Sequence, residues 1–176
     1  ALDSNTTGEG NVAIGMSSLD ANVSGYGNTA MGKQSLCKNT ANDNTAVGGA
    51  ALCLNTSGAN NVAVGKTALN ANTTASNNTA VGACALLANT TGTANVAVGA
   101  AALDANTTAN NNTAVGNLSA TGNTTGTNNS ALGFQSFVTN TTGSSNVAIG
   151  VNSLYANTTA SNNTAVGLSA LEANTT

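Results

Sequence analysis

The chain has 176 residues, of which only 5% are charged and 2% aromatic, and it contains no proline, histidine or tryptophan. This composition excludes an ordinary aromatic-rich globular core, and the net charge of −3, with no basic run, argues against nucleic acid or an anionic membrane as a partner. Regularly spaced Val, Ile and Leu argue against disorder, which goes with high net charge and few β-branched residues.

A unit of 17 residues repeats along the whole chain and reads approximately A-L-x-A-N-T-T-G-x-x-N-T-A-V-G-x-x. The spacing falls to 16 residues once, between Leu36 and Leu52. The apolar position near the start of each unit is occupied by Leu2, Leu19, Leu36, Leu52, Leu69, Leu86, Leu103, Ala120, Phe137, Leu154 and Leu171. Such a repeat predicts one structural unit per copy, each stacked on its neighbours.

The first predicted element is a short β-strand formed by Val12, Ala13 and Ile14, and an equivalent run recurs in every later unit. Each run begins with Val, Thr or Ser, continues with Ala and a larger apolar residue, follows an Asn and ends at a Gly such as Gly15, which is typical of a strand. The invariant Gly predicts a positive φ or a close backbone approach. A helix is excluded because the period fits no helical face and Gly and Asn recur too often.

The next predicted element is a second short extended piece around A-L-x-A, separated from the strand by turns rich in Gly and Asn. Together these elements form one coil of a parallel β-solenoid, so we predict an all-β fold of about ten coils. At about 4.8 Å per coil the rod is about 48 Å long. Residues 1–176 form one repetitive segment, expected to belong to a longer chain, with a one-residue deletion in the turn at residues 40–42.

The two faces of the predicted strand are both apolar. Alternate strand residues face opposite ways, so Val12 and Ile14 share one face and Ala13 takes the other. A strand that is buried on both faces packs one face into its own coil and the other against a partner chain. A column of Ala permits close approach between parallel solenoids arranged around an axis. We therefore predict a homotrimer; in the alternative, Ala fills a narrow coil interior.

Two columns of Asn run through the repeat and predict side-chain hydrogen-bond ladders along the rod. The strand-flanking column contains Asn11, Asn28, Asn44, Asn61, Asn78, Asn95, Asn112, Asn129, Asn146 and Asn163. The turn column contains Asn39 and ten residues that begin an Asn-x-Thr/Ser sequon: Asn5, Asn22, Asn55, Asn72, Asn89, Asn106, Asn123, Asn140, Asn157 and Asn174. These ten are candidate N-glycosylation sites. Alternatively, Asn and Thr serve as turn residues, and the row of unglycosylated Asn and Thr side chains along the turns itself binds sugars.

Cys37 and Cys53 occupy the same column in adjacent coils. Stacking brings their Cα atoms to about 5 Å, within the range that a disulfide requires. The alternative is a pair of buried free thiols, and Cys84 has no obvious mate. Without His or a C-x-x-C motif we expect no metal site and no cofactor.

Catalysis requires a nucleophile with a base, a carboxylate pair or a metal. Four acidic residues share one column, directly after the Leu position, and we interpret them as solvated surface variants: Asp3, Asp20, Asp104 and Glu172. We therefore expect no enzymatic activity. No stretch approaches the roughly 20 apolar residues of a membrane span, so membrane insertion is not expected.

The N-T-A-V-G, N-V-A-I-G and N-S-A-L-G variants resemble the repeats of phage-type tail-fibre proteins and of the YadA-like heads of trimeric autotransporter adhesins. The resemblance covers the whole chain. It implies a left-handed, trimeric β-roll that acts as a fibre shaft or adhesive head and contacts a carbohydrate or receptor on a host. It also implies an extracellular, cell-surface or virion location.

Two other functions remain open at this point. One is a self-assembling extracellular filament, because uncapped solenoid ends invite stacking. The other is ice binding by a regular array of Thr. Paired residues such as Thr73 and Thr74 are adjacent, however, so they cannot share one strand face.

Overall fold

A computed structural model describes residues 1–175. Its regular structure consists of ten β-strands of three residues each, and this part of the chain contains no helix. The strands are β1 (Val12–Ile14), β2 (Thr29–Met31), β3 (Thr45–Val47), β4 (Val62–Val64), β5 (Thr79–Val81), β6 (Val96–Val98), β7 (Thr113–Val115), β8 (Ser130–Leu132), β9 (Val147–Ile149) and β10 (Thr164–Val166). Each coincides with a predicted strand. A search of residues 1–175 for a membrane-spanning helix found none.

All ten strands pair in parallel in one sheet, in chain order from β1 to β10. Equivalent residues lie opposite one another, as Ala63 lies opposite Ala80. Because successive strands are one repeat apart, the chain makes about nine complete turns of a solenoid. The predicted all-β parallel β-solenoid with 17-residue coils is confirmed.

The interior of each coil is filled by the strand Ala and by the side chain at the Leu position. Ala30 and the later strand Ala residues are buried, as is every Leu-position side chain from Leu19 to Leu154. These residues form one continuous core. Burial of each Leu contributes about 1.5–3 kcal/mol, and the repeat supplies this contribution in nearly every coil.

The larger aliphatic side chains of the strands point outward. Ile14 is 56% exposed and Val166 is 66% exposed, whereas Ala30 is completely buried within this single chain. The expectation that the Ala column lines an axis between chains is therefore wrong, and Ala fills the coil interior. The physical reason is volume, because the space opposite each Leu side chain is narrow and accepts a methyl group.

The A-L-x-A segment is a turn and not the predicted extended piece. Thr67 and Leu69 have φ values of +56° and +50°, and equivalent residues repeat this geometry along the rod. A left-handed conformation costs a non-glycine residue about 1–2 kcal/mol. Hydrogen bonds between coils offset the cost: the Leu69 N–H donates to Ala85 O at 2.9 Å and the Thr67 N–H to Gly49 O at 2.9 Å.

The invariant Gly column confirms the predicted close approach. Gly65 has φ +136°, and a Cβ atom there would lie 2.5 Å from the carbonyl oxygen and 2.6 Å from the carbonyl carbon of Gly82. Both atoms belong to the backbone of the next coil and cannot move aside. At this column, adjacent coils therefore pack backbone against backbone, with no side chain between them.

The 16-residue step is confined to one turn, as predicted. Asn39 and Asn44 are five residues apart, against six between Asn22 and Asn28, yet β2 and β3 remain in register. The consequence is local: Asn39 Nδ2 donates to Ala41 O within the shortened turn, and the buried Oδ1 of Asn22 has no hydrogen-bond partner.

Insertion of Thr between Thr40 and Ala41 restores the N-T-T-A sequence of other coils and is expected to stabilise the chain. It allows residue 39 to donate to Asn22 Oδ1, and an unsatisfied buried acceptor costs about 1–3 kcal/mol. We expect the thermal midpoint to rise by about 2–4 °C per kcal/mol, measured by circular dichroism. The same insertion after Thr73, in a complete coil, should lower the midpoint; an increase in both variants would contradict the explanation.

Candidate functional site

The turn column forms a ladder of carboxamides inside the coils. Asn89 Nδ2 donates to Asn72 Oδ1 at 3.1 Å and to Gly92 O at 2.9 Å, and Asn89 Oδ1 accepts from Asn106 Nδ2 at 2.8 Å. The pattern is shared by the turn-column residues except at the short coil and in the two outermost coils, where Asn5 donates only to Gly8 O and Asn174 only to Asn157 Oδ1. Both amide hydrogens of Asn89 are therefore used, one within its own turn and one toward the neighbouring coil.

Burial separates the candidate glycosylation sites into two groups. Asn5 and Asn174, in the outermost coils, are half-buried. The other eight are completely buried: Asn22, Asn55, Asn72, Asn89, Asn106, Asn123, Asn140 and Asn157. A glycan on a buried Nδ2 would require the turn to open, so this geometry favours the alternative role as turn residues.

The strand-flanking column forms a second ladder that continues without a break through the short coil. The backbone N–H of Asn78 donates to Asn61 Oδ1 at 3.0 Å, and that of Asn44 donates to Asn28 Oδ1 at 3.0 Å. Asn78 Nδ2 also donates to Gly92 O at 2.9 Å, the carbonyl that Asn89 Nδ2 contacts. The two ladders thus meet at one carbonyl per coil, which supports the structural interpretation of both columns.

Thr residues, and not the sequon Asn residues, form the polar surface of the turns. The first Thr of each pair ties its hydroxyl to the next coil, as when Thr73 Oγ1 donates to Thr90 O at 3.2 Å. The second Thr of the pair, such as Thr74, is exposed. A ligand at this edge would therefore meet a column of Thr hydroxyl and methyl groups.

The two cysteines of the shared column lie side by side. Cys37 Sγ is 2.6 Å from Cys53 Sγ and 3.3 Å from Cys53 O, and both residues are half-buried free thiols. Burial, and then the hydrogen bond to Cys53, raises the pKa of the Cys37 thiol to about 12. Cys84 lies elsewhere, 3.4 Å from Thr67 Oγ1.

Oxidation with glutathione disulfide is expected to join Cys37 to Cys53, with loss of two hydrogen atoms from the chain and reduction of the oxidant. Because the high pKa keeps the Cys37 thiol protonated at neutral pH, the reaction should accelerate as pH rises. The disulfide would close a loop between residues 16 positions apart in the chain. Closing a loop of that length stabilises the folded state by about 3 kcal/mol. Thiol titration of the denatured, oxidised chain should find one free thiol, Cys84; three would contradict the pairing.

In residues 1–175, no three His, Cys, Asp or Glu side chains are grouped to hold a metal ion. Asp104 accepts a hydrogen bond from Thr121 Oγ1 of the next coil, which gives this acidic residue a structural contact.

The fold and its side-chain contacts define the class of the protein as a parallel β-solenoid with two internal asparagine ladders. Comparison with protein-family models, curated proteins and solved structures found no match.

Proposed function

We propose that the chain is a structural and adhesive segment of an extracellular appendage or virion fibre, acting as a shaft or head that presents a repetitive surface to a host. The observation that carries the proposal is the strand-flanking Asn ladder, which continues through all ten coils with donor–acceptor distances of 2.9 to 3.0 Å.

The two Asn ladders and the sheet tie every coil to the next. Hydrogen bonds in a low-dielectric interior polarise one another, so such a stack resists bending and local opening. About ten coils of 4.8 Å give a stiff rod of about 48 Å. Stiffness and length are the properties that a fibre requires, and the exposed Thr edge supplies many weak hydrogen bonds for a surface carbohydrate.

A row of exposed aliphatic side chains along the outer face of the sheet supports self-association. Its large members are Val12, Ile14, Met31, Val98, Leu132, Ile149 and Val166. Exposed apolar side chains grouped on one face of a soluble protein commonly mark a protein–protein contact. We infer a homotrimer in which these outer faces, and not the Ala columns, approach the partner chains.

The native mass of the purified chain tests self-association. We expect three times the denatured mass of 16.8 kDa by analytical ultracentrifugation. Val98→Lys and Leu132→Lys should yield monomers, whereas Thr74→Lys, on the turn edge, should not. A monomeric wild type would overturn the trimer, and a continuous series of larger masses would favour the filament alternative.

Adhesion is tested by retention of the labelled protein on immobilised glycans. We expect binding that weakens when Thr74, Thr91 and Thr108 are replaced by Ala, because these exposed residues lie on successive coils of the turn edge. Absence of binding to every glycan would overturn the adhesive part of the proposal and leave the structural part.

Ice binding is a second candidate because of the outer face of the strands. Thr79 and Val81 both point outward, on the side opposite to the buried Ala80, and strand Thr residues recur in β2, β3, β5, β7 and β10. The adjacent residues Thr73 and Thr74 of a turn cannot share one strand face, but the strand Thr residues of different coils do. Thermal hysteresis at millimolar concentration that disappears in Thr79→Lys would support the candidate, and no hysteresis would exclude it.

A further inference from the structure

A notch interrupts the surface of the solenoid at the position after the invariant Gly. Lys33, Gly49 and Lys66 occupy this position in three successive coils, so a residue without a side chain lies between two lysines. The resulting cavity has a volume of about 330 Å³ and is lined by Lys33, Gln34, Gly49, Ala50, Lys66 and Thr67. A Cβ atom at Gly49 would meet nothing within 4 Å, so the notch is open to solvent.

The notch concentrates positive charge on an acidic protein. The chain carries three lysines and a net charge of −3, yet two of the lysines flank this cavity and its lining includes no carboxylate. Two coil steps separate their Cα atoms by about 10 Å. Long side chains at that separation can direct both ammonium groups to one anion, which relieves their mutual repulsion.

The floor of the notch is held in place by hydrogen bonds between coils. The Ala50 N–H donates to Lys33 O at 2.9 Å, and the Thr67 N–H donates to Gly49 O at 2.9 Å. Thr67 Oγ1 donates to Lys66 O at 2.7 Å. The backbone that carries both lysines is therefore fixed before any ligand arrives, which lowers the entropic cost of binding.

We propose that this notch binds an acidic saccharide, with a carboxylate or sulfate group held between Lys33 and Lys66. The volume is at the lower end for small-molecule sites and exceeds that of a simple inorganic ion, so it suits a sugar ring. Gln34 and Thr67 offer polar groups to hydroxyls, and Ala50 offers a methyl group to the ring face. The inference rests on the proposed adhesive function and adds one specific site to the repetitive surface.

The site is tested by titrating the ¹⁵N-labelled protein and following the Gly49 amide resonance. The probes are glucuronic acid, glucose 6-sulfate, neutral glucose and inorganic sulfate. We expect the two acidic sugars to shift the resonance with saturation, and sulfate and glucose to bind at least fivefold more weakly. Equal affinity for sulfate would reduce the site to an anion-binding notch, and equal affinity for glucose would remove the charge requirement; either result overturns the proposal.

Matched lysine variants identify the groups responsible. Lys33→Gln and Lys66→Gln should each weaken binding about fivefold, the upper range for an exposed ion pair, whereas Lys38→Gln, outside the notch, should have no effect. Gly49→Leu should block the notch while retaining both charges. All four variants should keep the native mass of the wild type. Unchanged binding in Lys33→Gln, Lys66→Gln and Gly49→Leu would overturn the notch alone, whereas a wild type that is retained on no glycan would overturn the adhesive function on which the notch rests.

Discussion

Gly65→Ala is expected to destabilise the stack by about 3–5 kcal/mol, the combined cost of a strained backbone conformation and overpacking. The new methyl group would lie 2.5 Å from Gly82 O, so β4 and β5 could not approach to their normal separation. Hydrogen exchange measures the effect locally. The Gly82 N–H, which donates to Val64 O at 2.7 Å, should lose protection.

Gly49→Ala is the matched control, because its Cβ atom would meet nothing within 4 Å. We expect its stability to remain within about 0.5 kcal/mol of the wild type. The Gly150 N–H, which donates to Leu132 O at 2.8 Å in a distant coil, should stay protected in both variants. Equal destabilisation by the two substitutions would show that the cost comes from the loss of Gly itself and not from contact with the next coil.

The strands and their stacking could be predicted because the repeat itself carries the information. Thr79, Ala80 and Val81 lie between an Asn and a Gly, and the 17-residue spacing places each such run over the next. The position of the short turn followed from the same alignment, since one missing residue must fall between two columns that stay in register. Local composition and global packing agree at these places.

The direction of the strand faces could not be predicted, because both faces are apolar. Alternation showed that Ala80 opposes Val81, but only the volume of Leu86 in the closed coil decides which of them lies inside. The turn conformation of the Leu segment was missed for a related reason. Residues such as Leu86, with φ +50°, have no intrinsic preference for the left-handed region, and contacts between coils impose it.

The burial of the turn column was also hidden from sequence reasoning. Asn followed by Thr-Thr is typical of an exposed turn, so from the sequence Asn72 and Asn89 are candidate glycan acceptors, with a role as turn residues as the alternative. The notch at Gly49, in contrast, left a readable signal: the column after the invariant Gly contains Lys33, Gly49 and Lys66 in succession. The signal appears only when residues at the same repeat position of successive coils are compared.

Asn89→Ala is expected to cost about 2–6 kcal/mol. It removes three hydrogen bonds and leaves two buried groups, Asn72 Oδ1 and one hydrogen of Asn106 Nδ2, without their partners, at about 1–3 kcal/mol each. Gly92 O is less affected because it also accepts from Asn78 Nδ2 at 2.9 Å. Hydrogen exchange of the Asn89 coil measures the loss, and unchanged protection would contradict a stabilising ladder.

Asn89→Asp should be worse at neutral pH, because a buried carboxylate would face Asn72 Oδ1 and Gly92 O, which are both acceptors. This environment raises the pKa of the new carboxyl in the folded chain above the unfolded value of about 3.9. The unfolded state then loses its proton first as pH rises, so stability should fall above about pH 4 and be recovered in part below it. Asn89→Ala should show no such pH dependence.

Asn22→Ala provides a control within the same column. Asn22 is equally buried, but its Oδ1 has no donor, so the substitution leaves only Asn5 Oδ1 without its ladder partner. The loss should therefore be smaller than for Asn89→Ala by about the cost of one unsatisfied buried group, 1–3 kcal/mol. If the two losses were equal, the Asn side chains would stabilise the turns one by one, through bonds such as that from Asn22 Nδ2 to Gly25 O, and the ladder between coils would add nothing.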